Sequence, residues 1–142
     1  MAARRRAAGH EPTGFLVQEM VADSWMQLEA YRLLTMQTAW KIDRYNDYKL
    51  VRADISAVKA MMQKVLHDVS ARALQVHGSL GTTDLTPLQA MYAGAPTMGI
   101  ADGVDEVHKA TVARNVLKGY RPHEGYFPTE FFPRKREAAW QK

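Results

Sequence analysis

Two short stretches concentrate the residues able to do chemistry, Gln75-Val-His-Gly-Ser-Leu-Gly81 and Ile100-Ala-Asp-Gly-Val-Asp-Glu-Val-His-Lys109. In the second, Asp102 stands where a loop enters a helix. An aspartate there accepts hydrogen bonds from the first free amides as an N-cap, worth about 1 kcal/mol, and Asp105 follows at capping-box spacing. In the first, Gly78 and Gly81 read as a helix C-cap followed by a turn. His77 beside them reads as a surface or cap residue.

The remaining chemistry-bearing residues exclude more than they suggest. His10, His67, His77, His108 and His123 form no H-x-x-x-H or comparable ligand pair, so no metal site is expected. The chain has no cysteine, hence no disulfide, thiolate metal site or cysteine nucleophile, and nothing in it requires an oxidising compartment. Its eight methionines fall on helical faces and read as core filler.

The net charge of +4 comes from the ends, Arg4-Arg5-Arg6 and Arg134-Lys135-Arg136. A nucleic-acid footprint carries its cations along a folded face with aromatics between them, so these runs read as solvated tails and no nucleic-acid partner is expected. No apolar run approaches the roughly 20 residues of a membrane helix. The arginines are followed by Gly9-His10-Glu11-Pro12 rather than an apolar segment, which does not read as a secretory signal. A cytoplasmic protein without a membrane partner is the expectation.

The elements that must position the two stretches follow from apolar periodicity. With 142 residues, 46% of them hydrophobic, one globular domain is expected. Residues 1–14, holding Gly9, Pro12 and Gly14, read as a flexible basic lead-in. Val17, Val21, Trp25, Leu28, Tyr31, Leu34 and Thr38 give one helical stripe, widened by Leu33, Met36 and Trp40, in a helix running to about residue 43. Asn46 and Asp47 mark a turn. Ile55, Val58, Met62, Val65, Val69, Ala73 and Val76 give a second long helix over about 48–76, antiparallel to the first.

A short third helix is expected over about 84–93, capped by Thr83 or Asp84, with Pro87 in its first turn and Gly94, Pro96 and Gly99 stopping or kinking it. A fourth follows Asp102, shows a face of Val104, Val107, Ala110, Thr111, Arg114 and Leu117, and closes at Gly119. Residues 120–142, with Pro122, Pro128 and Pro133, read as an irregular tail. The fold class is all-α: an antiparallel, up-and-down four-helix bundle over 15–119.

Taken in order, the two long helices, the Gln75–Gly81 stretch, Thr86-Pro87-Leu88, the Ile100–Lys109 stretch and Val112-Ala-Arg-Asn-Val116 resemble the C-terminal helical domain of the acyl-CoA dehydrogenase family, in the subgroup with Ala-Asp-Gly-x-Asp-Glu-Val-His. The resemblance covers about residues 17–119. It implies a FAD-dependent oxidoreductase of fatty acid metabolism that oxidises an acyl-CoA thioester between its α and β carbons. A carboxylate takes the α-proton while hydride leaves to the flavin. It also implies an N-terminal helical domain and a middle β-domain outside this chain, which hold most of the FAD and acyl-CoA contacts, and an oligomer built on the helical domain.

Carried over by motif, the resemblance makes Asp102 the base and Glu106 the residue standing where glutamine is usual. It also places Gln75, Gly78 and Ser79 at the pyrophosphate and adenosine end of a neighbouring subunit's FAD, where glycine amides approach phosphate closely. Ser79 replaces a second glycine. The Arg-x-x-Phe-Gly motif that precedes the first helix in the family has no counterpart, and Gly94, Pro96 and Gly99 stand where the subgroup shows arginines. Two readings follow: a component completed by a flavin-binding partner or by further copies of itself, or a non-catalytic oligomerisation or binding module derived from the family.

Overall fold

The computed structural model of the chain describes residues 14–121 and 132–141. Every regular element among them is helical: α1 (Phe15–Tyr45), α2 (Tyr48–His77), a 3-10 turn (Gly78–Thr82), α3 (Leu88–Ile100), α4 (Asp105–Leu117) and α5 (Phe132–Trp140). The all-α class matches the expectation. The lead-in expected over 1–14 lies outside the described residues apart from Gly14. Part of the expected irregular tail is helical, since α5 occupies 132–140 with Pro133 in its first turn, where its missing N–H costs nothing.

The reversal between α1 and α2 takes two residues. Asn46 adopts a left-handed conformation at φ 47° and returns its N–H to the Ile42 carbonyl. Asp47 is extended and accepts the Lys49 N–H on its side chain at 2.8 Å. Both are devices that asparagine and aspartate supply locally. The helices then run back along each other, with Lys41 paired to Asp54 at 2.6 Å and Gln27 donating to Asp68 at 3.1 Å.

α2 is the spine on which α1, α3 and α4 all pack. Its residues Val51 and Val65, with Ala95 of α3, are the buried apolar residues among those described. The expected stripe of α1 is only partly covered: Thr38 is buried, whereas Trp25 is 65% exposed and Trp40 58% exposed. In α4 the register departs from expectation. Val104, Val107 and Leu117 face outward, and Asp105 and Thr111 are the residues buried against α2. The apolar residues of α1 and α4 thus form open surface, the kind that another polypeptide covers.

α3 also departs from the sequence reading. It starts at Leu88 with Pro87 as its N-cap, uncapped by any side chain, and runs through Gly94, Pro96 and Gly99 to Ile100. Pro96 offers no N–H to the Tyr92 carbonyl, yet packing keeps the helix going. Gly99 is buried in this contact, where a Cβ would meet the far end of the Gln63 side chain. Tyr92 adds a ring contact to His67 of α2, centroids 4.8 Å apart.

A polar network ties α1 to α2. Asp68 receives hydrogen bonds from Lys64 at 2.7 Å and Gln27 at 3.1 Å and lies 3.2 Å from His67 Nδ1, while Arg72 donates to the Gln27 side-chain Oε1 at 2.8 Å. The Lys64 bond, helped by Gln27 and His67 against desolvation, holds the Asp68 carboxyl at about 2, below its ordinary 3.8. A depressed carboxyl contributes stability above its unfolded value and loses it as pH falls through the folded one. Because Lys64 is largely exposed, the contribution is discounted to about 1–2 kcal/mol. Denaturant titrations of Asp68→Asn should therefore show that deficit at pH 7, shrinking to nothing as the pH falls from about 5 to about 2. A deficit that stays constant across that window would contradict the assignment.

Candidate functional site

The link between α3 and α4 carries Asp102. Ala101 ends α3 with its N–H on the Thr97 carbonyl at 2.9 Å, Asp102 and Gly103 take φ of 57° and 100°, and Val104, extended, opens α4. Aspartate tolerates the left-handed region, whereas a φ of 100° calls for glycine. Val104, not Asp102, is the N-cap, and no side chain caps α4. The capping-box expectation for Asp102 and Asp105 is thereby corrected. Two positive φ values in succession swing Asp102 off the helix start, so its carboxylate is exposed instead of spent on its own amides.

Asp105, expected to cap, is instead buried and paired. Lys59 Nζ lies 3.0 Å from its Oδ1 and also donates to the Met98 carbonyl at 2.8 Å. His108 supports the link from the other side: its Nε2–H donates to the Asp102 carbonyl at 3.2 Å, and a Cβ on Gly103 would sit 3.2 Å from that nitrogen. Because a carbonyl only accepts, the ring proton is on Nε2. Glu106 is exposed in the first turn of α4 beside Asp105, where negative charge suits the helix dipole.

His108 also lines a cleft of about 390 Å³ with Tyr48, Lys49, Arg52 and Val107. A second cleft of about 410 Å³ adjoins it, sharing Lys49, Arg52 and Thr111 and adding Arg114, Asn115 and Lys118. None of these four cations has a carboxylate partner among the described residues. His108, bonded to the Asp102 backbone carbonyl, is thus the residue that joins the link to an open trough with an unneutralised cationic wall.

Gln75, Gly78 and Ser79 lie elsewhere. All three are exposed at the far end of α2. Gly78 closes α2 at φ 61° with its N–H on the Leu74 carbonyl, and Gly81 is buried so tightly that a Cβ would come within 3.0 Å of His77 Cβ and 3.1 Å of the Leu74 carbonyl. His77 donates from Nδ1 to the Ala73 carbonyl at 2.7 Å. The C-cap and turn reading of the glycines, and the cap reading of His77, describe this geometry. Along α2, Gln75 lies 12–16 residues beyond the level of Lys59 and Gln63, about 20 Å at 1.5 Å per residue. The two clusters are not brought together, and one bound molecule in one pocket does not explain both.

Four residues of the Asp102 site were not singled out from sequence for these roles: Lys59, Gln63, Asp105 and His108. Lys59 and Gln63 read as polar positions between the apolar ones of α2. Asp105 and His108 lay inside a quoted motif, and their spacing carried no sign of burial or of a bond back to the link. Among the described residues no group of histidine and acidic side chains is placed to hold a metal ion. No described helix is long and apolar enough to cross a membrane.

Comparison with known proteins gives the family. The family profile for the acyl-CoA dehydrogenase C-terminal domain matches residues 1–117. Acyl-CoA dehydrogenase FadE2, so named in Mycobacterium tuberculosis, is 40% identical over 102 residues, covering 72% of this chain and 25% of that protein. Acyl-CoA dehydrogenase family member 11 of Rattus norvegicus is 36% identical over 103 residues, covering 72% of this chain and 13% of its own. A solved structure from Mycobacterium abscessus, titled as an acyl-CoA dehydrogenase, superposes with a TM-score of 0.72 at 30% identity, over 79% of this chain and 28% of that one. The chain thus spans a quarter or less of the length of these two curated relatives. Helical class, motif order and matched region lead to one conclusion: the chain belongs to the acyl-CoA dehydrogenase family, as its C-terminal domain.

Proposed function

We propose that this chain contributes the catalytic carboxylate, Asp102, and part of a flavin site to the α,β-dehydrogenation of an acyl-CoA thioester, with the N-terminal and middle domains supplied by other polypeptide. The observation that carries the reading is the freedom of Asp102: exposed, released from capping, and braced by His108 beside the trough walled by Lys49 and Arg52. An acyl-CoA brings phosphates for such cations and an α-proton that its thioester acidifies. Asp102, one methylene shorter than glutamate, takes that proton on a carboxylate oxygen, and the link or the substrate must come correspondingly closer.

FAD, when bound, supplies the acceptor for the β-hydride. The exposed surface at Gly78 and Ser79 leaves room for a phosphate and has a Gln75 amide able to donate, although the Gly78 N–H is itself taken by the Leu74 carbonyl. The span between this turn and Asp102 favours two different flavins, each completed by a neighbouring subunit. The open apolar faces of α1 and α4 suit the partner surfaces this requires.

Those same faces support a second reading, a helical oligomerisation or binding module that performs no catalysis. Co-production with a flavin-binding partner separates the two. The catalytic reading expects an assembly that retains FAD, whose flavin absorbance bleaches on adding acyl-CoA, and loses flavin with Gln75→Ala. Assembly without flavin under all conditions would leave the module alone standing.

A further inference from the structure

Among the described residues, Lys59 is the side chain of α2 that bonds to both α3 and α4. Its ammonium donates to the Met98 carbonyl at 2.8 Å and lies 3.0 Å from Asp105 Oδ1. Met98 and Asp105 stand on either side of residues 101–104, so one buried charge fastens both ends of the link that carries Asp102 to the α2 spine. One turn further along α2, the end of the Gln63 side chain occupies the space a Cβ on Gly99 would need.

A buried ion pair is a poor way to gain stability, because desolvating both charges offsets most of their attraction and an apolar pair of similar volume serves as well. What the pair provides here is direction. The ammonium meets a carbonyl at the end of one helix and a carboxylate at the start of the next, which couples the positions of the two helix ends. The link between them already holds two residues at positive φ and has few ways to adjust.

We propose that Lys59, acting through Asp105 and the Met98 carbonyl, is a positioning residue that sets the direction in which the Asp102 carboxylate leaves the α3–α4 link. The inference rests on Asp102 acting as the base. Its consequence is kinetic: misplacing a reacting group by about 1 Å costs about 100-fold in rate, with little effect on how the rest of the substrate binds.

The test uses the assembled, flavin-containing complex with Lys59→Met/Asp105→Asn, which removes both charges and avoids a lone buried one. The double variant should keep its flavin and its KM, and lose about 100-fold in kcat. Lys59→Arg, which restores a cation with donors for both partners, should recover about tenfold or more of that loss. On the chain alone, amide hydrogen exchange at residues 101–104 should accelerate about tenfold or more in the double variant, with α1 amides unchanged.

The positioning role is overturned by a double variant with wild-type kcat, by a rise in KM that accounts for the whole loss, or by unaltered exchange in the link. Asp102→Asn in the same complex keeps the two questions apart. If that variant turns over normally, Asp102 is not the base, and exchange over 101–104 alone decides whether Lys59 holds the link.

Discussion

Asp102→Asn in the assembled enzyme is expected to retain flavin and acyl-CoA binding and to lose about 10²- to 10⁴-fold in turnover, the range for removing a positioned general base. The substitution isolates the chemistry well. Asparagine accepts the left-handed conformation that residue 102 adopts, the side chain makes no cap to be lost, and the His108 bond goes to the backbone carbonyl, which is unchanged. The thermal midpoint of the chain should therefore stay put while flavin reduction by acyl-CoA slows. Equal losses in turnover and in kcat/KM would place the carboxylate in the transition state alone. An Asp102→Asn complex that reduces its flavin at the wild-type rate would remove the base assignment, whatever the assembly looks like.

The largest effect on stability is expected at Lys59. Lys59→Met should destabilise the chain by about 3–5 kcal/mol, because it leaves the Asp105 carboxylate buried without a counter-charge. Against a core whose buried apolar residues are Val51, Val65 and Ala95, such a loss approaches the whole margin of folding. Adding Asp105→Asn should return most of it, since the penalty lies in the orphaned charge and not in the missing pair. Urea denaturation of the two variants measures the difference. A Lys59→Met chain as stable as wild type would mean that Asp105 is reached by water in solution.

Both predictions depend on features of unequal legibility. The reversal at Asn46 and Asp47 could be read directly, because each residue satisfies its neighbours' backbone through its own side chain or its own φ. The end of α2 at Gly78 was equally plain, needing only a glycine that takes φ 61°. α3 was misread for a related reason. Glycine and proline in succession are strong local signals to stop a helix, but packing on α2 outweighs the propensity cost of Gly94, Pro96 and Gly99.

The site shows the same division. The motif around Asp102 drew attention to the α3–α4 link, yet its spacing looked like a capping box, and only two consecutive positive φ values reveal that the cap is not made. Nor does the spacing between Lys59 and Asp105, far apart in the chain, carry any trace of their pairing. Of the α4 face assigned to Val104, Val107, Ala110, Thr111, Arg114 and Leu117, Thr111 does lie against the spine, whereas Val104, Val107 and Leu117 face outward and Asp105 is buried instead.

The amino-acid sequence by itself determined where the long helices run, how α1 turns into α2 and where α2 ends, because periodicity, caps and turn residues act over a few neighbouring positions. Only the tertiary structure decided which face of α4 is buried, that α3 passes through its own breakers, and that Lys59 braces the Asp102 link. Those outcomes depend on the free energy of burying one surface against another distant in the chain, and no local spacing encodes that choice.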